Sequence, residues 1–127
     1  MKRHIALGTL IVVGMLTMAI GAAQQPTPSA DAITVDKVKD NLYVLRGGGG
    51  NTAAFVTANG VVLVDTKNPG WGQPLLDKVK TLTSKPVTTV INTHTHYDHV
   101  SGNVEMPAVV DIVAHENTKM LMTQMND

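Results

Sequence analysis

The sequence predicts an α+β domain, a sheet with helices against at least one face. Two observations point there. Short β-branched runs joined by turn residues come first, in hairpin order, up to Thr66. Beyond them a helical-period segment separates further apolar runs, the order of β–α–β units. The length, 127 residues, suits one domain.

The elements follow in order. AITVDKV (32–38) and NLYVLRG (41–47) read as strands, with Asp40-Asn41 as the turn between them. Gly47 to Gly50 suits neither strand nor helix. It reads either as a flexible loop or as backbone that must approach another group closely. NTAAFVT (51–57) and GVVLVDT (60–66) form a hairpin through Ala58-Asn59-Gly60. VVLV is continuously apolar, as expected of a strand covered on both faces. Residues 74–82 read as a helix: Leu75, Leu76, Val79 and Leu82 share one face, Pro74 suits the first turn, and Pro86 follows the end. PVTTVINT (86–93) and AVVDIVA (108–114) are strands, and His115 to Met125 begins a helix with Met120, Leu121 and Met125 as its apolar side.

The N-terminus has a different character. Lys2, Arg3 and His4 precede an uncharged run from Ile5 to Ala23, which ends Gly21-Ala22-Ala23. This predicts an export signal over residues 1–23, cleaved after Ala23, a polar spacer over 24–31, and the domain proper over 32–127. The alternative is an uncleaved anchor, since the run is nearly long enough to span a bilayer. Either places the domain outside the cytoplasm, with a bacterial periplasm as the natural compartment. Ten basic residues balance ten acidic ones. No electrostatic pull toward nucleic acid or an acidic membrane is expected; the expected partner is a small-molecule substrate. The absence of cysteine excludes disulfides, thiol nucleophiles and thiolate ligands.

The chemistry concentrates in NTHTHYDHVSGN (92–103), which holds three of the five histidines. On an extended strand end, His94 and His96 point the same way and can share one metal ion. Asp98 and His99 follow where the chain can turn, and can serve a second. Two such ions would acidify a shared water and polarise the bond under attack. Asp98 is the candidate to orient that water or accept its proton. The competing reading is a polar surface loop.

H-x-H-x-D-H after a strand resembles the signature of the metallo-β-lactamase superfamily, here His94-Thr95-His96-Tyr97-Asp98-His99. The hairpin ending in Asp65, the helix and VTTVINT fit the same pattern, so the likeness runs from about Ile33 to Met125. It implies the N-terminal half of an αβ/βα sandwich. It makes His94 and His96 ligands of a first metal, and Asp98 and His99 ligands of a second. Asp65 becomes a residue that supports the site without binding metal, against its plainer reading as an ordinary strand-end Asp. The implied cofactor is a pair of zinc ions, with iron or manganese compatible with the same donors. The implied activity is attack of metal-bound hydroxide on an ester, thioester, lactone or lactam carbonyl. Ser101 departs from the D-H-x-G-G pattern of relatives, leaving only Gly102.

The family's later ligands, a third histidine, a bridging aspartate and a last histidine, have no counterparts here. His115 lies too close to the motif and reads as a non-ligand. The expectation is therefore an N-terminal half, inactive alone, with one apolar sheet face uncovered. The alternative is a truncated, non-catalytic product that binds one metal weakly or not at all.

Overall fold

The computed structural model describes residues 27–124. The predicted export segment, residues 1–23, and the first spacer residues, 24–26, lie outside them. No helix among the described residues is long and apolar enough to cross a membrane.

Six strands form one sheet in sequence order: β1 (Thr34–Lys39), β2 (Leu42–Arg46), β3 (Thr52–Val56), β4 (Val61–Val64), β5 (Val87–Asn92) and β6 (Asp111–Ala114). The first four run antiparallel, and β5 and β6 lie parallel to β4. This is the mixed α+β sheet that the sequence predicts. Parallel neighbours need crossovers, and two segments supply them. Helix α1 (Gly72–Lys80) links β4 to β5, and α2 (Tyr97–Val100) with a 3₁₀ turn (Ser101–Glu105) links β5 to β6. Helix α3 (Glu116–Gln124) follows β6.

The core lies between one sheet face and α1. Leu45, Ala54, Val61, Leu63 and Val90 come from four strands, and Leu75 and Val79 from α1. Trp71 and Ile33 close its ends. The opposite face carries one aligned row across five strands, Val44, Ala53, Val64, Ile91 and Val113. Among the described residues nothing covers it: Phe55 is 43%, Ile91 40% and Val113 51% exposed. The expectation of β4 covered on both faces therefore holds on one side only, where Val61 and Leu63 are fully buried.

The boundaries shift where local pattern meets tertiary contacts. Helix α1 begins at Gly72, two residues before the expected Pro74, although Trp71 at its N-cap offers no side-chain acceptor. The acceptor comes from far along the chain. Glu105 takes the backbone N–H groups of Gly70 (3.0 Å), Gly72 (3.1 Å) and Gln73 (2.9 Å). A carboxylate there satisfies otherwise orphaned donors and suits the positive end of the helix dipole. Strand β6 is shorter than predicted because residues 107–110 form a turn, with Val110 N–H donating to Pro107 O at 2.9 Å. The expected apolar side of α3 does not pack: Met120 is 54% and Leu121 44% exposed, while Met125 lies outside the described residues. The helix follows an edge strand and has little to pack against.

Glu105→Ala strips three donors of their acceptor. It should lower unfolding free energy by about 2 kcal/mol in urea titration, in the range of a lost helix cap. Glu105→Gln should lose less.

Candidate metal centre

The site forms where three loops meet at the ends of β2, β4 and β5. The strand pairing of β5 ends at Asn92, earlier than expected. The reason is chemical. Thr93 N–H, which would continue the ladder, donates instead to Asp65 Oδ1 at 2.8 Å. His94 and His96 thus sit in a loop rather than on a strand end. Their rings still meet, with centroids 4.6 Å apart. Tyr97 to Val100 then coil into α2, which brings the His99 ring to 4.2 Å from that of His94.

Asp65 organises this cluster. It is only 4% exposed, and its carboxylate accepts from three donors. Besides Thr93 N–H, these are Thr93 Oγ1 at 2.7 Å and His99 Nδ1 at 2.8 Å. Proton accounting follows from those contacts. Thr93 has one hydroxyl hydrogen, and it goes to Asp65. The His94 Nδ1 lying 2.9 Å from the same oxygen must therefore be the donor of that bond. His99 also donates through Nδ1. Both rings thus carry a proton on Nδ1, and Nε2 of His99 faces Asp98 Oδ2 at 3.4 Å.

Ligating atoms of Asp65, His94 and His99 all lie within 4.8 Å of one another. With three donors on its oxygens, the Asp65 carboxylate is better placed to orient ligands than to bind an ion itself. Asp98 Oδ2 stands 3.4 Å from His99 Nε2, with the side chain 45% exposed. An open cleft of about 490 Å³ beside it is lined by Asn68, Thr95, His96, Tyr97 and Asp98. Imidazole nitrogens and a carboxylate gathered this closely form a donor set that suits zinc and similar divalent ions. His115 stands apart. It is exposed, and its Nδ1 accepts Asn117 N–H at 3.2 Å at the start of α3.

Two glycines explain how the loops approach so closely. The glycine run makes contact rather than hanging free. A side chain on Gly50 would put its Cβ 2.5 Å from the His99 ring, and Gly50 N–H donates to Asp98 O at 2.9 Å. On the other side, a Cβ on Gly102 would lie 2.1 Å from Thr66 O. Only Gly fits there, whereas position 101 is half-buried and accepts Ser.

A family model described as the metallo-beta-lactamase superfamily matches residues 45–121. The chain belongs to that superfamily. Superfamily members are metal-dependent hydrolases, and this chain has the N-terminal portion of their fold. It is similar to a metallo-beta-lactamase from Pontibacter korlensis, with 23% identity and a TM-score of 0.67 over 75% of this chain and 49% of that one. It is also similar to a metallo-beta-lactamase from Pseudomonas aeruginosa solved in a mono-zinc form, with 17% identity and a TM-score of 0.68 over 80% and 49%. A subclass B3 metallo-beta-lactamase of Bradyrhizobium japonicum matches at 26% identity and a TM-score of 0.63 over 79% and 38%. The chain thus spans half or less of the length of these enzymes.

Two residues at this superfamily site escaped sequence reasoning. Thr93 precedes the motif directly, and its hydroxyl was the one available signal. Lys67 gave none. It is fully buried, adopts φ +80°, and donates to Leu45 O (3.1 Å) and Gly50 O (2.9 Å). Burial pushes its ammonium from 10.5 down to about 8. Between those values the unfolded chain holds a proton that the folded one has lost, so stability rises with pH across that window. Lys67→Met removes this slope. With chelator present, wild-type unfolding free energy should gain about 2 kcal/mol relative to the variant between pH 7.5 and pH 10, by urea titration at each pH.

Proposed function

We propose that this chain carries half of the metal centre of an exported dinuclear-metal hydrolase. Its substrate would be a small molecule with an ester, thioester, lactone or lactam carbonyl. The observation that carries the reading is the relay from the buried Asp65 carboxylate to Thr93 and His99. It holds two imidazoles by their Nδ1 atoms, with ligating atoms of both rings and of Asp65 in one small space. A surface loop has no use for such control of tautomers.

His94 and His96 would hold one ion, and Asp98 and His99 a second. Bound divalent ions supply Lewis acidity and ready deprotonation of water. The chain's own residues do the rest. Thr93 and Asp65 engage the His94 and His99 rings through Nδ1, which would leave Nε2 of each ring to an ion. Asp98 faces the open cleft at half exposure, where it can orient a water and accept its proton. Asn68 and Tyr97 line the same cleft and would meet the substrate. Zinc suits the donors best, and iron or manganese would accept them.

Turnover is assigned to a longer product. Supporting this are the span of half or less of the similar enzymes and the aligned apolar row left open on the sheet. A contiguous exposed apolar surface marks a face made to be covered. Residues 1–23 would act as a cleaved export signal, with the mature chain starting at Gln24 in the periplasm. Reading the DNA beyond the codon for Asp127 decides between this and a short, non-catalytic product. An open frame with further histidine and aspartate motifs favours the hydrolase, and a genuine stop codon favours the short product.

The test is metal content and hydrolysis of the full-length protein. About two zinc equivalents and chelator-sensitive cleavage within an ester, thioester, lactone and β-lactam panel are expected. A metal-free protein with no cleavage across the panel would sink the proposal. Thr93→Val keeps the shape and removes the relay hydroxyl, and should weaken zinc binding by roughly 10-fold or more in chelator competition.

A further inference from the structure

We propose that Lys67 is a positioning residue for the metal centre, acting through the glycine loop that presses on His99. The proposal rests on the metal-binding reading above. Its basis is a set of contacts converging on one buried side chain. The Lys67 ammonium donates to Leu45 O, where β2 ends, and to Gly50 O, where the loop ends. The Gly50 peptide is thereby held at both polar groups, because its N–H donates to Asp98 O at 2.9 Å. Its Cα lies flat against the His99 imidazole, close enough that a Cβ there would meet ring Cε1 and Nε2 at 2.5 Å. Lys67's own carbonyl accepts from Gly102 N–H at 3.3 Å, just past the motif. Lys67 therefore ties together the loops on either side of the His99 ring.

The cost of keeping a lysine there supports a specific role. A fully buried ammonium needs every available partner to offset its desolvation. The residue also occupies the left-handed backbone region, which disfavours any side chain beyond Gly and Asn. Glycine would relieve both penalties. The chain instead keeps a side chain that reaches two carbonyls at once. Losing the ammonium frees Gly50 O, lets the glycine loop lift, and releases His99 and Asp98 from the geometry that Asp65 fixes on the other side.

The experiment compares wild type with Lys67→Met and Lys67→Gly in the full-length protein. The first keeps the apolar stem and the backbone strain. The second removes the strain and lets water enter. The shared loss is the ammonium. Both should weaken zinc(II) binding by roughly 10–100-fold in chelator competition and shift the cobalt(II) d–d bands. Wild-type zinc affinity and an unchanged cobalt spectrum in folded Lys67→Gly would overturn the proposal. So would failure of both variants to fold by circular dichroism, since that assigns the lysine to stability alone. If wild type takes up neither zinc nor cobalt, the metal reading itself fails. Positioning is then read from the His99 imidazole ¹⁵N shifts of the metal-free protein. Displacement in Lys67→Gly supports it, and unchanged shifts overturn it.

Discussion

A single buried carboxylate organises the functional end of this molecule. Asp65 is taken out of water with three donors on its oxygens, two from Thr93 and one from His99. A buried charge tolerates no missing partner, so each of those donors is held tightly in place. The hydrogen bond to Thr93 N–H ends the β5 ladder, and the bond from His99 aims the ring. Remove the carboxylate, and the loop between β5 and α2 loses the reason for its path. Asp65 itself sits in the left-handed backbone region, at φ +66°. That strain is sustained because the carboxylate contacts over-determine its position.

The same logic recurs around the site. Carbonyls at the end of α2 have no partners within so short a helix, and neighbouring loops take them: Gly50 N–H binds Asp98 O, and Thr66 N–H binds His99 O. Thr66 Oγ1 and Asn92 both reach Asn103 Oδ1, which fastens the following 3₁₀ turn. The histidine segment is short, but other loops hold it from three sides. Ligand geometry can then be set before an ion arrives, which is the condition for a preorganised centre.

Much of the fold was legible in the sequence because its signals are local. Alternating β-branched runs, Asn59-Gly60 and the spacing of Leu75, Leu76 and Val79 each act within a few residues of themselves. The motif from His94 to His99 was legible for the same reason, and so was the family resemblance that rests on it. The errors fell where distant partners intervene. Glu105 starts α1 two residues early from more than thirty positions away. Asp65 diverts Thr93 and turns an expected strand end into a loop. Strand β6 shortens because residues 107–110 turn, and α3 stays exposed at the sheet edge, where packing is scarce.

The sequence by itself determined the order of elements, the mixed sheet, and the cluster of histidines and aspartate from His94 to His99. Those follow from backbone periodicity and side-chain chemistry, which need no knowledge of what lies across the fold. Tertiary structure alone decided which nitrogen of each ring meets Thr93 or Asp65, why Gly50 and Gly102 must lack side chains, and why a lysine is buried at position 67. Each of these depends on a contact between segments far apart in the chain. The cost of leaving a buried polar group unpaired selects such contacts only once the fold has brought the segments together.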